Sequence, residues 1–156
     1  MLQQATALST NPRTKSIRMH RNLEALIIDD DPCSLAMTKK TVSNRIPGKQ
    51  IRIFNSPKFA LQYLQWENGV QGKKTVRRSI ILTDLEMPDM DGFEFLDEFN
   101  QLQKAIREKY TIFVLSSTNE NFEIQRLYEK PSFEGFIPKP LTVGKLDRLL
   151  AQIGER

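Results

Sequence analysis

Two short apolar runs, residues 23–28 and 79–83, end on acids: Asp29, Asp30 and Asp31 after the first, Asp84 after the second. Runs this short, with few polar side chains, suit strands covered on both faces, as in parallel sheets. Parallel neighbours need a long crossover, usually a helix. The chain supplies that alternation throughout. Asp31 suits an N-cap and Pro32 the first position of helix 1, which is expected to run to about residue 44. Pro47-Gly48 marks a turn before strand 2 at 50–54. Ser56 and Pro57 open helix 2, with Phe59, Ala60, Tyr63 and Leu64 on one face and Asn68-Gly69 at its end. A basic loop at 71–78 leads into strand 3. Helix 3 is expected over 92–107, with Phe93, Leu96, Phe99, Leu102 and Ile106 inward. Strand 4 at 111–115, helix 4 at 121–130, strand 5 at 134–137 and a helix 5 capped by Thr142 and ending near 153 complete the pattern. The prediction is an α/β fold: five parallel strands, doubly wound by five helices.

Composition narrows the setting. Hydrophobic residues make up 39% and charged residues 27%, ordinary for a globular domain. No apolar run approaches the roughly 20 residues of a membrane span, and the amino terminus lacks the apolar core of a secretory signal. Cys33 is the only cysteine, which rules out an internal disulfide and suits a reducing compartment, so a cytoplasmic location is expected. The pI of about 9.3 hints at nucleic acid. However, residues 1–22 carry Arg13, Lys15, Arg18 and Arg21 and no acid, leaving 19 basic and 19 acidic residues in the remainder. The excess belongs to a polar extension read as disordered over 1–22, ahead of one domain over 23–156. Nucleic-acid binding is therefore not expected. Met19 is an alternative first residue.

In a doubly wound sheet the carboxyl ends of the strands share one crevice. Asp29 and Asp30 fall there after strand 1, Asp84 after strand 3, Ser116 and Ser117 after strand 4, and Lys139-Pro140 after strand 5. Clustered carboxylates repel unless one is protonated or a cation sits among them. Carboxylates with a hydroxyl and a lysine suit a hard cation and a phosphoryl group. No group of His and Cys exists to hold zinc.

The acid pair Asp29-Asp30, the stretch Asp84-x-x-Met87-Pro88-x-Met90-Asp91-Gly92, Ser116 and Lys139-Pro140 resemble the receiver domain of two-component response regulators. The resemblance spans about residues 22–153. It implies the flavodoxin-like strand order 2-1-3-4-5. It further implies a switch, not an enzyme, whose chemistry is limited to its own phosphorylation and dephosphorylation. Asp84 would be the phosphoacceptor, receiving the group from a sensor histidine kinase or phosphotransfer protein. Asp30 directly, Asp29 partly through water, Asp84, and the backbone carbonyl of Glu86 would hold Mg²⁺. Ser116 and Lys139 would contact phosphoryl oxygens, and the Lys139–Pro140 bond would be cis. Phosphorylation would draw Ser116 inward and let Phe136 fill the space behind it. Many relatives carry Tyr there; Phe lacks the hydroxyl, so a packing switch is what this chain retains. The switched surface would be helix 4, strand 5 and helix 5, with Phe122, Leu127, Tyr128, Phe133 and Leu141, read by a downstream protein or by a second copy. With the pattern ending at helix 5, a stand-alone receiver of the chemotaxis-regulator type is expected.

Plainer roles stand beside these. Asp31 and Asp91 read as helix caps and Ser117 as structural. Phe136 suits the core as well as a switch. Cys33 reads as a buried or half-buried thiol, His20 as incidental, and Lys73, Lys74, Arg77 and Arg78 as a solvated basic loop. Pro138 stiffens the approach to Lys139, and Glu86 and Thr118 face the mouth of the site. Two other functions stay open. Asp29-x-Asp31 mimics the nucleophile motif of haloacid-dehalogenase-like phosphatases, although Cys33 departs from it. A phosphorylation-independent adaptor on the same fold is the other.

Overall fold

The computed structural model describes residues 20–70 and 78–154. Its elements alternate in the expected order. β1 (Glu24–Ile28) leads to α1 (Pro32–Val42), β2 (Ile51–Phe54) to α2 (Pro57–Val70), and β3 (Ser79–Asp84) to α3 (Gly92–Asn100). β4 (Tyr110–Ser116) leads to α4 (Asn121–Tyr128), and β5 (Phe133–Pro138) to α5 (Val143–Gly154). All pairings are parallel, in the order β2-β1-β3-β4-β5.

Strand periodicity separates the core into two layers. Ala25 and Ile27 of β1, Ile80 and Leu82 of β3, and Phe113 and Leu115 of β4 face α1 and α5, meeting Leu35, Val42, Leu146, Leu149 and Leu150. Their alternates, Leu26, Ile28, Ile81, Ile112 and Val114, face α2, α3 and α4, meeting Ala60, Leu64, Phe95, Leu96, Phe99 and Leu127. Every residue of β3 is buried, as a central strand covered on both faces requires.

Four expectations change. Helix 3 ends at Asn100, and a separate single turn covers Lys104–Arg107. Neither Pro nor Gly marks the break; the Gln103 backbone leaves the helical region there (φ −55°, ψ 144°), while Ile106 still reaches the core. Phe59 is exposed rather than on the inner face of α2, where Ala60, Leu61 and Leu64 do the packing. Cys33 is exposed, because it stands two residues, or about 200° of helix, from inward-facing Leu35. His20 is buried in a 3₁₀ turn, His20–Asn22, that precedes β1. The rest of the expected extension, residues 1–19, lies outside the described residues, as do Lys73, Lys74 and Arg77. Arg78 is described, and its guanidinium donates to the Ile153 carbonyl at 2.7 Å.

Candidate functional site

The crevice is assembled by strand ends and by the caps that turn the chain away from them. Asp31 has extended backbone angles, and its side chain accepts the amides of Cys33 and Ser34, so α1 starts at Pro32. Asp29 thereby stays behind on the strand end, 2% exposed. Across the sheet, Asp91 and Glu94 form a reciprocal capping box that starts α3. Gly92 is required by close approach: a Cβ there would sit 2.9 Å from the Asp84 carbonyl oxygen and 3.0 Å from Leu85 Cα. These are backbone atoms that cannot swing aside, so glycine lets α3 begin against the end of β3.

One carboxylate oxygen from each of Asp29, Asp30 and Asp84 falls within 4.8 Å of the others. Lys139 bridges two of them, its Nζ 2.8 Å from Asp29 Oδ2 and 3.2 Å from Asp84 Oδ1. Asp29 accepts more: the Asp31 amide at 3.0 Å and the Ser34 hydroxyl at 2.5 Å. Asp84 Oδ1 also accepts the Leu85 amide at 2.9 Å. Asp30 stands exposed at the rim.

Charge in the crevice is unbalanced. Burial, opposed by Lys139 and reinforced by Asp29, holds the Asp84 carboxyl above its ordinary range. Burial works against the Lys139 ammonium too, but the hydrogen bond to Asp29 and the charges of Asp84 and Asp29 outweigh it and raise its pKa. Three acids around one lysine are short of positive charge, and an all-oxygen donor set of this kind fits a hard dication.

The loop carrying Lys139 is tied at several points. Its amide donates to the Ser116 carbonyl at 2.9 Å, and the Lys139–Pro140 peptide is cis. Lys145 Nζ donates to the carbonyls of Pro138 and Pro140, at 2.7 and 2.9 Å. Ser116 is 2% exposed, and its Oγ accepts the Thr118 amide at 3.1 Å. Ser117 is exposed. Glu86 is exposed and lines a cavity of about 440 Å³ with Met87, Pro88, Asp91, Phe93 and Glu123.

Phe136 is half-buried against the layer under α2, α3 and α4. Of the surface residues expected on α4, β5 and α5, Phe122 and Tyr128 are 69% and 66% exposed, whereas Leu127 and Leu141 belong to the core. The amphipathic α4 turns Leu127 inward. Sequence reasoning missed Ser34, Lys145 and Glu123. Ser34 had a signal, a hydroxyl one helical turn past an acid cluster; the other two are set by how a loop folds back on a helix.

Residues 25–151 match the response regulator receiver domain model. The chain is 28% identical over 139 residues to the two-component response regulator ARR5 of Arabidopsis thaliana, covering 87% of this chain and 73% of that protein. It is 25% identical over 143 residues to ORR5 of Oryza sativa subsp. japonica, covering 90% of this chain and 96% of that one. A response regulator receiver protein from Dyadobacter fermentans superposes with a TM-score of 0.70 at 27% identity, covering 83% of this chain and 96% of that chain.

Proposed function

Because this chain belongs to the response regulator receiver family, we propose that it is a phosphorylation-driven switch with Asp84 as the phosphoacceptor. The observation that carries this is the convergence of Asp29, Asp30 and Asp84 with Lys139 reaching both Asp29 and Asp84. Asp84 Oδ1 is engaged by Leu85 and Lys139, which leaves Oδ2 to attack the phosphorus of a phosphohistidine. The new O–P bond forms as the P–N bond breaks, and the imidazole nitrogen keeps the electron pair. Lys139 would follow the negative charge from the carboxylate to a phosphoryl oxygen. Ser116, whose oxygen accepts the Thr118 amide in the resting chain, would offer its hydroxyl proton to another phosphoryl oxygen. Asp29, Asp30, Asp84 and the Glu86 carbonyl would hold Mg²⁺, which when bound offsets the acids and the phosphoryl charge.

The output would be a change on α4, β5 and α5, with Ser116 pulling the loop before α4 and Phe136 repacking behind it. Phe122 and Tyr128 offer exposed apolar surface there for a downstream protein or a second copy. The donor would be a sensor histidine kinase or phosphotransfer protein, and we read the chain as a cytoplasmic receiver. A phosphatase using Asp29 as nucleophile draws no support, since both Asp29 oxygens already accept hydrogen bonds.

Acetyl phosphate with Mg²⁺ should label the wild type with an acid-stable, hydroxylamine-sensitive phosphoryl group and leave Asp84→Asn unlabelled. Equal labelling of the two proteins, or none of the wild type by acetyl phosphate or by any phosphorylated histidine donor, would sink this reading.

A further inference from the structure

On the switch side of the crevice a hydrogen-bond chain runs outward from Ser116 to two residues that the phosphoryl chemistry does not use, Thr118 and Glu123. Ser116 Oγ accepts the Thr118 amide at 3.1 Å. The Thr118 hydroxyl in turn donates to Glu123 Oε2 at 2.7 Å and accepts the Glu120 amide at 3.2 Å. A buried serine at the end of β4 is thus connected, through one threonine, to a carboxylate in the first turn of α4. The helix is itself anchored from its last turn: the Arg126 guanidinium lies 4.3 Å from the centre of the Phe93 ring at the start of α3. The loop therefore hangs between the strand end and a helix held in place.

The chemistry gives this chain a direction. A threonine hydroxyl has one proton. Donating it to a carboxylate makes a charge-assisted bond, stronger than a neutral one. That bond orients the lone pair toward the Glu120 amide and selects the loop conformation in which the Thr118 amide faces Ser116. Resting on the reading of Asp84 and Ser116 above, we propose that Glu123 is a positioning residue. Through the Thr118 hydroxyl it holds Ser116 in its resting place, and Ser116 reaches a phosphoryl oxygen only when the Thr118–Glu123 bond lets go. An interaction made in the resting conformation alone biases the equilibrium against the switched one by its own strength. Removing it favours the switched state, so that this chain sets its readiness to respond outside the crevice itself.

The test titrates beryllofluoride, with Mg²⁺, into the full chain and follows backbone amide shifts. Glu123→Ala and Thr118→Val should each tighten the apparent dissociation constant about 3- to 10-fold, the range for losing one partly exposed charge-assisted bond. The double variant should tighten it no further, because both changes break one contact. Glu123→Gln and Thr118→Ser keep an acceptor and a hydroxyl and should stay within about twofold of the wild type. Without beryllofluoride or Mg²⁺, amide exchange at Glu120 should speed up in Glu123→Ala while β4 keeps its protection. Wild-type affinity in Glu123→Ala or Thr118→Val, weaker affinity, or additive effects in the double variant would overturn the proposal. A wild type that ignores beryllofluoride would instead remove the phosphoacceptor reading; unchanged Glu120 exchange would then dispose of the Glu123 role as well.

Discussion

The two ends of the sheet bury ionisable groups in opposite ways. Below the amino-terminal end of β4, Glu67 accepts the Tyr110 hydroxyl at 2.5 Å and pairs with Lys109 at 3.0 Å. Burial works against its charge, but the bonds from Tyr110 and Lys109 outweigh it and keep the carboxyl below its ordinary range. Tyr110 is pushed far up by burial and by Glu67, and nearby Tyr63 to about 12, so both stay protonated donors. One acid there has more than one donor. At the carboxyl-terminal end, three acids share Lys139, and Asp84 is held above its ordinary range. The lower cluster ties α2 to β4, while the upper one leaves Asp84 buried beside a second acid and lowers the stability of the resting chain.

This contrast can be broken by removing one carboxylate from each end. Glu67→Leu strands a buried hydroxyl and an ammonium, and should cost about 2 kcal/mol. That corresponds to a thermal midpoint lower by about 4–8 °C for a domain of this size, with phosphoryl labelling of the folded protein unchanged. Asp84→Asn should move the midpoint the other way, up by about 2–4 °C in metal-free buffer, because it removes a charge that burial and Asp29 oppose. A drop in that midpoint would mean the crevice is as well paired as the lower cluster. Lys145→Met sharpens the comparison by loosening the upper end without touching an acid. With the Pro138 and Pro140 carbonyls released, phosphoryl uptake from acetyl phosphate should slow about threefold, with Lys145→Arg intermediate.

The smallest effect is expected beside the lower end, at His20. Burial lowers its pKa below the usual 6.5, opposed by Asp147 and assisted by Arg45. The unfolded chain therefore takes up this proton first. Stability from the neutral ring is complete above 6.5 and is lost as pH falls below it, toward the lower folded value. Midpoints measured between pH 7 and pH 5 should fall by about 1 °C less in His20→Gln than in the wild type.

Much of this was legible in the order of residue types. Apolar runs of strand length, caps such as Asp31 and Asp91, and acids at strand ends follow from local rules, and they place Asp29, Asp30 and Asp84 at strand ends from sequence alone. Less legible were features that depend on a second element. Phe59 belongs to the apolar face of a helical wheel, yet it is exposed, since a wheel shows amphipathicity but not where the covering layer ends. His20 looked like part of a polar tail and is buried. The break after Asn100 carries no proline or glycine to announce it.

The alternation of strand and helix, the parallel sheet, and the residue types available for chemistry follow from the order of residues, because period, caps and turn residues act over a few positions. Which groups meet follows from the packing of distant elements. Lys139 reaches Asp29 from 110 positions away, Lys145 clamps the loop that carries it, and Ser116 is tied to Glu123 through Thr118. Such contacts rest on distance, and distance between remote residues is set by how layers pack, which no local pattern encodes.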